Sequence, residues 1–322
     1  MRWLVVRSVG LLAASALAGS LVVFLLLRLL GGDVATVILG RTATPQSLAE
    51  LRSQLGLDRP GIVQYADWLG GLVRGNLGQS YAAGYDISQQ IQSRMGLTLT
   101  LALASMAISS VVSVAAGSYA ALHARRLRGG VVDILTQFGM AIPTFWAGLV
   151  LVIVVSVHLG WFPAGGYVPW SEDPVQTIRS VTLPVAALSL SVTAVLTRYV
   201  KSAMLDVLGQ PYIRTAMSKG RTLPMAVLVH GVRNASVSIV TVGTLMLGGL
   251  LAGAVVIENV FNLPGLGSLL VSAIKEREAI VVQSVALVIM LIVLTLNFLM
   301  DIAYGVLDPR IRDAEGRGTH AE

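Results

Sequence analysis

The chain has 322 residues, 55% of them hydrophobic and only 12% charged, with a net charge of +6 and a mean hydropathy of +0.76. A soluble domain carries about 25% charged residues, so a water-exposed globule is excluded. The basic residues are scattered over short segments between apolar runs, which excludes a nucleic-acid surface, and the lack of cysteine excludes disulfides, thiolate metal sites and cysteine nucleophiles.

Six stretches of 18 or more residues contain no Asp, Glu, Lys or Arg: 8–27, 95–122, 134–171, 180–197, 234–257 and 279–300. A spanning helix needs about 20 mostly apolar residues, and lipid leaves no backbone group to be paired by water. The expected fold is therefore an all-α membrane protein with six transmembrane helices. The first lies within 1–30. Ala16-Leu17-Ala18 has the shape of a signal-peptidase site, but the apolar run continues through Leu27, so a retained helix is expected.

An external segment, 31–94, follows and is long for a loop. Thr44 can cap a helix over Pro45–Leu55, with Pro45 at its first position. The amphipathic stretch IVQYADWLGGLV (62–73) carries Tyr65 and Trp68, and with Tyr81 and Tyr85 they suit the membrane interface. These features predict an ordered cap rather than a loose linker.

The membrane core runs over 95–306, with a tail at 307–322. In the second span Thr98, Ala102, Ser105, Ser109, Ser113 and Gly117 recur every three or four residues on one face. Such a stripe lets helices approach closely, and its alternative reading is a pore wall. The third span contains Pro143 in IPTFW (142–146), which predicts a kink, and the chain should leave the helix soon after Gly160, in WFPAGGYVP (161–169). The fourth span places Ser189, Thr193 and Thr197 on one face before Arg198 and Lys201; with Ser105 and Ser109 they are the candidate pore-lining residues. The fifth holds Gly243, Gly248, Gly249 and Gly253. Most of the 23 Lys and Arg fall on one side if both termini are cytoplasmic, including Arg125, Arg126, Arg128, Arg214, Lys219, Arg221, Arg310, Arg312 and Arg317. That bias predicts an N-in, C-in orientation.

Catalytic signatures are absent from the sequence. Nothing fits a phosphate-binding G-x-x-x-x-G-K-[ST] loop, and Gly265-Leu266-Gly267 is followed by Leu270 where a dinucleotide loop needs glycine. The four histidines have no ligand partner at helical spacing, so neither a catalytic nor a metal site is expected. The span interiors also lack the ionisable residues that proton- or ion-coupled carriers need, which makes a secondary transporter or channel a remote alternative. The chain has a path and no motor, so its energy must come from a partner.

The segment PYIRTAMSKGRTLPMAVLVHGVRNASVSIVT (211–241) resembles the "EAA" loop of ATP-binding-cassette importer permeases, in the R-T-A-x-x-K-G form of the peptide-importer branch. Arg214, Thr215, Ala216, Lys219 and Gly220 match it, followed by Arg221 and then Arg233-Asn234-Ala235. LGLDRP (55–60), GNLGQS (75–80), IPTFW, WFPAGGY, Leu183-Pro184, ENVFNLPGLG (258–267) and LDPRIR (307–312) agree in order with the B-type oligopeptide and dipeptide permease subunit. Three places depart from the pattern: Ser238 where a proline is usual, Lys275–Ile280 in place of R-D-Y-P, and Arg94-Met95-Gly96 in place of R-L-P.

The resemblance implies one half of a translocation pore in the bacterial cytoplasmic membrane. A second homologous permease would complete the pore, and two ATP-binding subunits, or one fused ATPase, would hold ATP and Mg, leaving no cofactor in this chain. An external substrate-binding protein would deliver peptide; nickel chelates, glutathione and oligosaccharides are alternative cargoes. Residues 212–221 would be a cytoplasmic coupling helix between spans four and five. Thr215 and Ala216 are small enough to enter a partner's groove, and Gly220 permits a left-handed cap. Glu258, Phe261, Asn262, Pro264, Gly265, Gly267, Lys275 and Arg277 would form an external docking or gating loop. In that loop Ser268 is expected to cap a short helix with Leu269, Leu270 and Ile274 on its apolar side.

Overall fold

The computed structural model describes residues 2–30, 34–39, 43–81 and 83–307. Among them the regular elements are helical, apart from an isolated antiparallel bridge between Gln79 and Asp86. Five helices are long and apolar enough to cross a membrane, at Val9–Leu29, Ile87–Leu122, Pro174–Leu208, Ile239–Val260 and Ala279–Met300; a bent pair, Leu127–Ala141 and Thr144–His158, makes six if it counts as one span. The tail from 308 onward, with Arg310, Arg312 and Arg317, lies outside the described residues.

The chain divides into two compact units, Met1–Thr98 with Pro264–Leu294, and Leu99–Leu263 with Thr295–Glu322. The first unit starts with α1 (Arg2–Leu30), α2 (Val34–Leu39), α3 (Pro45–Gln54) and α4 (Gly61–Val73), and takes in the beginning of α5 (Ile87–Leu122). Thr44 caps α3 as expected. Its hydroxyl accepts from Ser47 N at 3.1 Å, and Ser47 Oγ accepts from Thr44 N at 2.9 Å, a reciprocal capping box.

Helix α4 packs on α1 through its aromatic face. Tyr65 and Trp68 form a ring cluster with Phe24, and the Tyr65 hydroxyl lies 2.7 Å from Ser20 Oγ. These aromatics therefore tie the segment after the first span back to that span. The core of this unit joins Ile87 and Ile91 to Leu266, Leu269, Val281 and Val285. Each such side chain contributes roughly 1.5–3 kcal/mol when fully buried.

The second unit is organised on α8 (Pro174–Leu208), whose 35 residues present a long buried face from Thr177 to Val207. Asp173 caps it, Oδ1 accepting from Val175 N and Gln176 N at 2.9 and 3.1 Å. Around it stand the later part of α5, α6 (Leu127–Ala141), α7 (Thr144–Leu151) and α10 (Leu223–Val260), while α9 (Pro211–Ser218) follows α8 directly. Small residues allow the close approaches: a Cβ on Gly117 would come within 2.7 Å of Val200 Cγ1, and one on Gly139 within 2.9 Å of Ala194 Cβ. Helix α10 is continuous through Ser238, so the missing proline leaves it unbroken.

At Pro143 the structure goes further than a kink. Proline has no N–H to give and forces Ile142 into an extended conformation, ψ 121°. Helix α6 ends at Ala141, and the segments either side meet at 103°. At 15 residues α6 is about 22 Å long, too short to cross about 30 Å of hydrocarbon alone. The second arm finishes as a π-helical turn, Val152–His158, so the chain leaves the helix just before Gly160 and not after it.

Candidate functional site

The loop between α8 and α10 forms a helix where the resemblance placed one. Pro211 opens α9 at its first position, and the C-terminus closes in a Schellman motif. Gly220 N donates to Met217 O at 2.9 Å and Arg221 N to Ala216 O at 3.2 Å. Gly220 sits at φ +87°, a region that a Cβ disfavours, so glycine is required there.

The orientation of α9 corrects one expectation. Ile213 and Ala216 are turned inward and pack against Val207 of α8 and Ala226 of α10. Ala216 therefore seats the helix on its own chain and does not project into a partner. The outward face carries Tyr212, Arg214, Thr215, Met217, Ser218 and Lys219, with Gly220 and Arg221 exposed beyond it. The side chains of Arg233 and Asn234, on α10, lie outside the described residues.

The expected outer loop falls in both units. In the second, α10 ends in another Schellman closure: Leu263 N donates to Glu258 O at 2.8 Å, and Asn262 adopts φ 49°. Glu258 and Phe261 are fully buried. The Phe261 carbonyl accepts from Gly166 N at 3.0 Å, and a Cβ on Gly165 would overlap that carbonyl. In the first unit, α11 (Leu266–Lys275) begins at Gly265, not at Ser268. Thr98 of α5 supplies the missing cap, its Oγ1 accepting from Leu266 N at 2.9 Å. Leu266, Leu269 and Ala273 form the buried side, with Gly267, whereas Ile274 is 56% exposed and lies off it. Pro264, Lys275 and Arg277 are exposed.

Arg277 holds a left-handed φ of 58° at the end of α11, with its N–H donated to Ile274 O and Glu278 N to Ala273 O. The turn that follows aims Glu278 inward. The carboxylate is 4% exposed and accepts from Ser80 Oγ at 2.6 Å and from Tyr81 N at 3.1 Å. Burial raises the pKa of the Tyr81 and Tyr85 hydroxyls, and the nearby Glu278 charge raises them further. Glu278 was not among the sequence-derived site residues; an acidic residue in an exposed K-E-R-E run gives no sign of which charge turns inward.

The candidate pore hydroxyls pack against helix backbone. Ser105 Oγ donates to Val185 O at 3.4 Å, Ser109 Oγ to Ser189 O at 3.1 Å, and Ser189 Oγ to Val185 O at 2.6 Å. All three are buried between α5 and α8. Thr193 is half-buried, and Thr197 is buried with its hydroxyl unpartnered.

A further ion pair was missed because Asp133 sits one residue before a charge-free run. Lys201 Nζ lies 2.6 Å from both Asp133 oxygens, joining α6 to α8, with side-chain exposures of 18% and 43%. Asp133→Ala is expected to cost about 1–2 kcal/mol, between the values of exposed and buried pairs. A lowered thermal midpoint of the purified chain, partly restored in Asp133→Glu, checks it. Among the described residues no cluster of His, Cys, Asp and Glu could hold a metal ion.

Residues 113–313 match the family described as the inner membrane component of binding-protein-dependent transport systems, and residues 1–102 match the N-terminal family of such membrane components. A Brucella abortus protein named for a peptide transport system permease is 40% identical over 313 residues, 97% of this chain and 99% of its own length. The di/tripeptide transport system permease protein DppB of Pseudomonas aeruginosa is 36% identical, over 96% of this chain and 98% of its own. A Sinorhizobium fredii protein named for a peptide ABC transporter permease is 37% identical, over 95% and 97%. The chain therefore belongs to the family of binding-protein-dependent transport system inner membrane components, as a multi-pass protein of the bacterial cytoplasmic membrane.

Proposed function

We propose that this chain is one half of the translocation pore of an ATP-driven importer of di- or oligopeptides. The observation that carries the reading is identity of 36–40% over nearly the whole chain to proteins named for peptide and di/tripeptide transport. Those names favour peptides over nickel chelates, glutathione or oligosaccharides. A homologous permease completes the pore, ATPase subunits bind ATP and Mg on the cytoplasmic side, and an external binding protein delivers cargo. Coupling is the differential binding of two global states by these partners.

Within that assembly α9 is the coupling element. Its exposed Arg214 and Lys219 suit charge-assisted hydrogen bonds to acidic or carbonyl groups of an ATPase. The exposed end of α11, with Lys275 and Arg277, suits the binding protein. The test is uptake by proteoliposomes holding the complete complex. ATP-dependent accumulation of labelled dipeptide, not competed by nickel chelate or glutathione, is the expected result. Uptake of one of those cargoes in place of peptide would overturn the assignment.

The orientation follows from the basic residues. Both termini and α9 face the cytoplasm; the segment around Ser80, Trp170 and Lys275 faces out. The chain has no native cysteine, so single-cysteine variants report position directly. Cysteines replacing the exposed Ala83, Trp170 or Lys275 should react with an impermeant maleimide in spheroplasts with the outer membrane removed, and those replacing Arg126 or Lys219 only after lysis. Labelling of the Lys219 position before lysis would reverse the topology.

A further inference from the structure

A cavity of about 460 Å³ opens in the first unit between the end of α1, the α3–α4 turn and the start of α12 (Ala279–Leu307). Its volume is in the range of small-molecule sites, about 300–1,000 Å³. Phe24, Leu57 and Ile280 give it apolar walls, while Arg28, Trp68 and Gln283 bring hydrogen-bond donors. Trp68 Nε1 is buried without a partner, and a buried donor left unpaired is costly. Arg28 makes no ion pair among the described residues; the other arginine at the cavity, Arg59, is already held by Asp67 at 3.2 Å. Among the described residues the lining thus carries one arginine without an ion pair and one orphaned N–H.

The cavity's depth points to the class of ligand. The charge-free run of α1 ends at Leu27, immediately before Arg28, and that of α12 begins at Ala279. Both ends line the cavity, so it lies where two spans pass from hydrocarbon into the headgroup layer. Below it α1 exposes Leu21, Val22, Leu25 and Leu26, a surface for acyl chains. Gly61 completes the arrangement, since a Cβ there would overlap the Arg28 guanidinium. The absent side chain gives the guanidinium its place at the cavity wall.

We propose that this cavity is a binding site for the phosphodiester headgroup of an anionic phospholipid. Arg28 takes a phosphate oxygen in a charge-assisted bond, and Trp68 N–H and the Gln283 amide donate to the remaining phosphate, glycerol or ester oxygens. The acyl chains run along α1. Under the orientation above this is the outer leaflet, but the site depends only on where α1 and α12 leave the membrane, not on the transported cargo.

The complex is purified from nanodiscs of equal phosphatidylglycerol and phosphatidylcholine, and lipid retained by this chain is counted by native mass spectrometry after subunit release. Wild type should keep one phosphatidylglycerol in preference to phosphatidylcholine. Arg28→Ala should lower retention about tenfold and Trp68→Phe, which keeps the ring packing, about fivefold, the losses of one charged and one neutral hydrogen bond. Gly61→Val should lower it while leaving the charge count unchanged. Arg125→Ala, a basic change elsewhere, should have no effect. Equal retention in wild type and the three cavity variants would overturn the proposal, as would an equal loss in Arg125→Ala. Displacement of the lipid by inorganic phosphate would reassign the cavity to free phosphate.

Discussion

Replacing Ala216 with tryptophan is expected to abolish import while leaving the chain in the membrane. Ala216 is 7% exposed and, with Ile213, holds α9 against Val207 and Ala226. An indole cannot fit where a methyl group fills the space, and overpacking a seat this small costs about 1–3 kcal/mol. The cheapest relief is for α9 to lift away from α8 and α10, because it is only eight residues long and has few other buried contacts. The spans that insert the chain are untouched. In the proposed assembly α9 receives force from an ATPase subunit, and a lifted helix transmits none.

Two companion variants separate seating from contact. Gly220→Leu places a side chain at φ +87° and should unwind the Schellman closure with a similar loss. Thr215→Trp lies on the exposed face, so it should leave the fold intact and impair import only through the partner surface. Uptake in proteoliposomes and the amount of inserted protein are the two measurements. Normal uptake in Ala216→Trp and Gly220→Leu, at normal insertion, would show that force enters elsewhere.

Much of the helical plan was legible because lipid imposes a length and a composition that few soluble helices meet. The Thr44 cap and the left-handed Gly220 were legible because both follow from local backbone chemistry. What escaped depended on tertiary partners. Thr98 reads as one more small residue on a span, and only the fold brings its hydroxyl to Leu266 N. Ser105 and Ser109 satisfy the spacing of a pore stripe and of a packing stripe equally, and their bonds to the α8 carbonyls come from α5 lying against that helix. Pro143 announced a bend, but its size was set by how the two arms pack, which periodicity does not encode. Ala216 matched its motif, yet which way it faced depended on the ends of α8 and α10.

Glu278 is the residue whose loss should most disturb the segment between α4 and α5. Its carboxylate accepts from Ser80 Oγ on one oxygen and from Tyr81 N on the other, and Ser80 Oγ in turn accepts from Ala83 N at 2.9 Å. Ser80, Tyr81 and Ala83 are thereby fastened to the start of α12 by a buried carboxylate. In Glu278→Gln one oxygen still serves Ser80, but the amide nitrogen faces the Tyr81 N–H, donor against donor. That leaves a part-buried N–H unpaired, at a cost of about 1 kcal/mol, the low end for an unpaired donor. Glu278→Ala orphans both donors and should cost more, whereas Ser80→Ala removes the bond to Glu278 and the acceptor of Ala83 N, but Ala83 is exposed to water and Tyr81 N keeps its bond, so it should cost least. Hydrogen exchange checks the order directly: protection of the amides at 80–87 should fall from wild type through Ser80→Ala and Glu278→Gln to Glu278→Ala. In the proposed assembly, where this segment faces the binding protein, the same order should appear in the stimulation of ATP hydrolysis by that protein. Unchanged exchange in Glu278→Ala would show that the turn is held by its backbone bonds alone, Ser80 N to Tyr85 O, Gly84 N to Ser80 O and Ile87 N to Gly78 O.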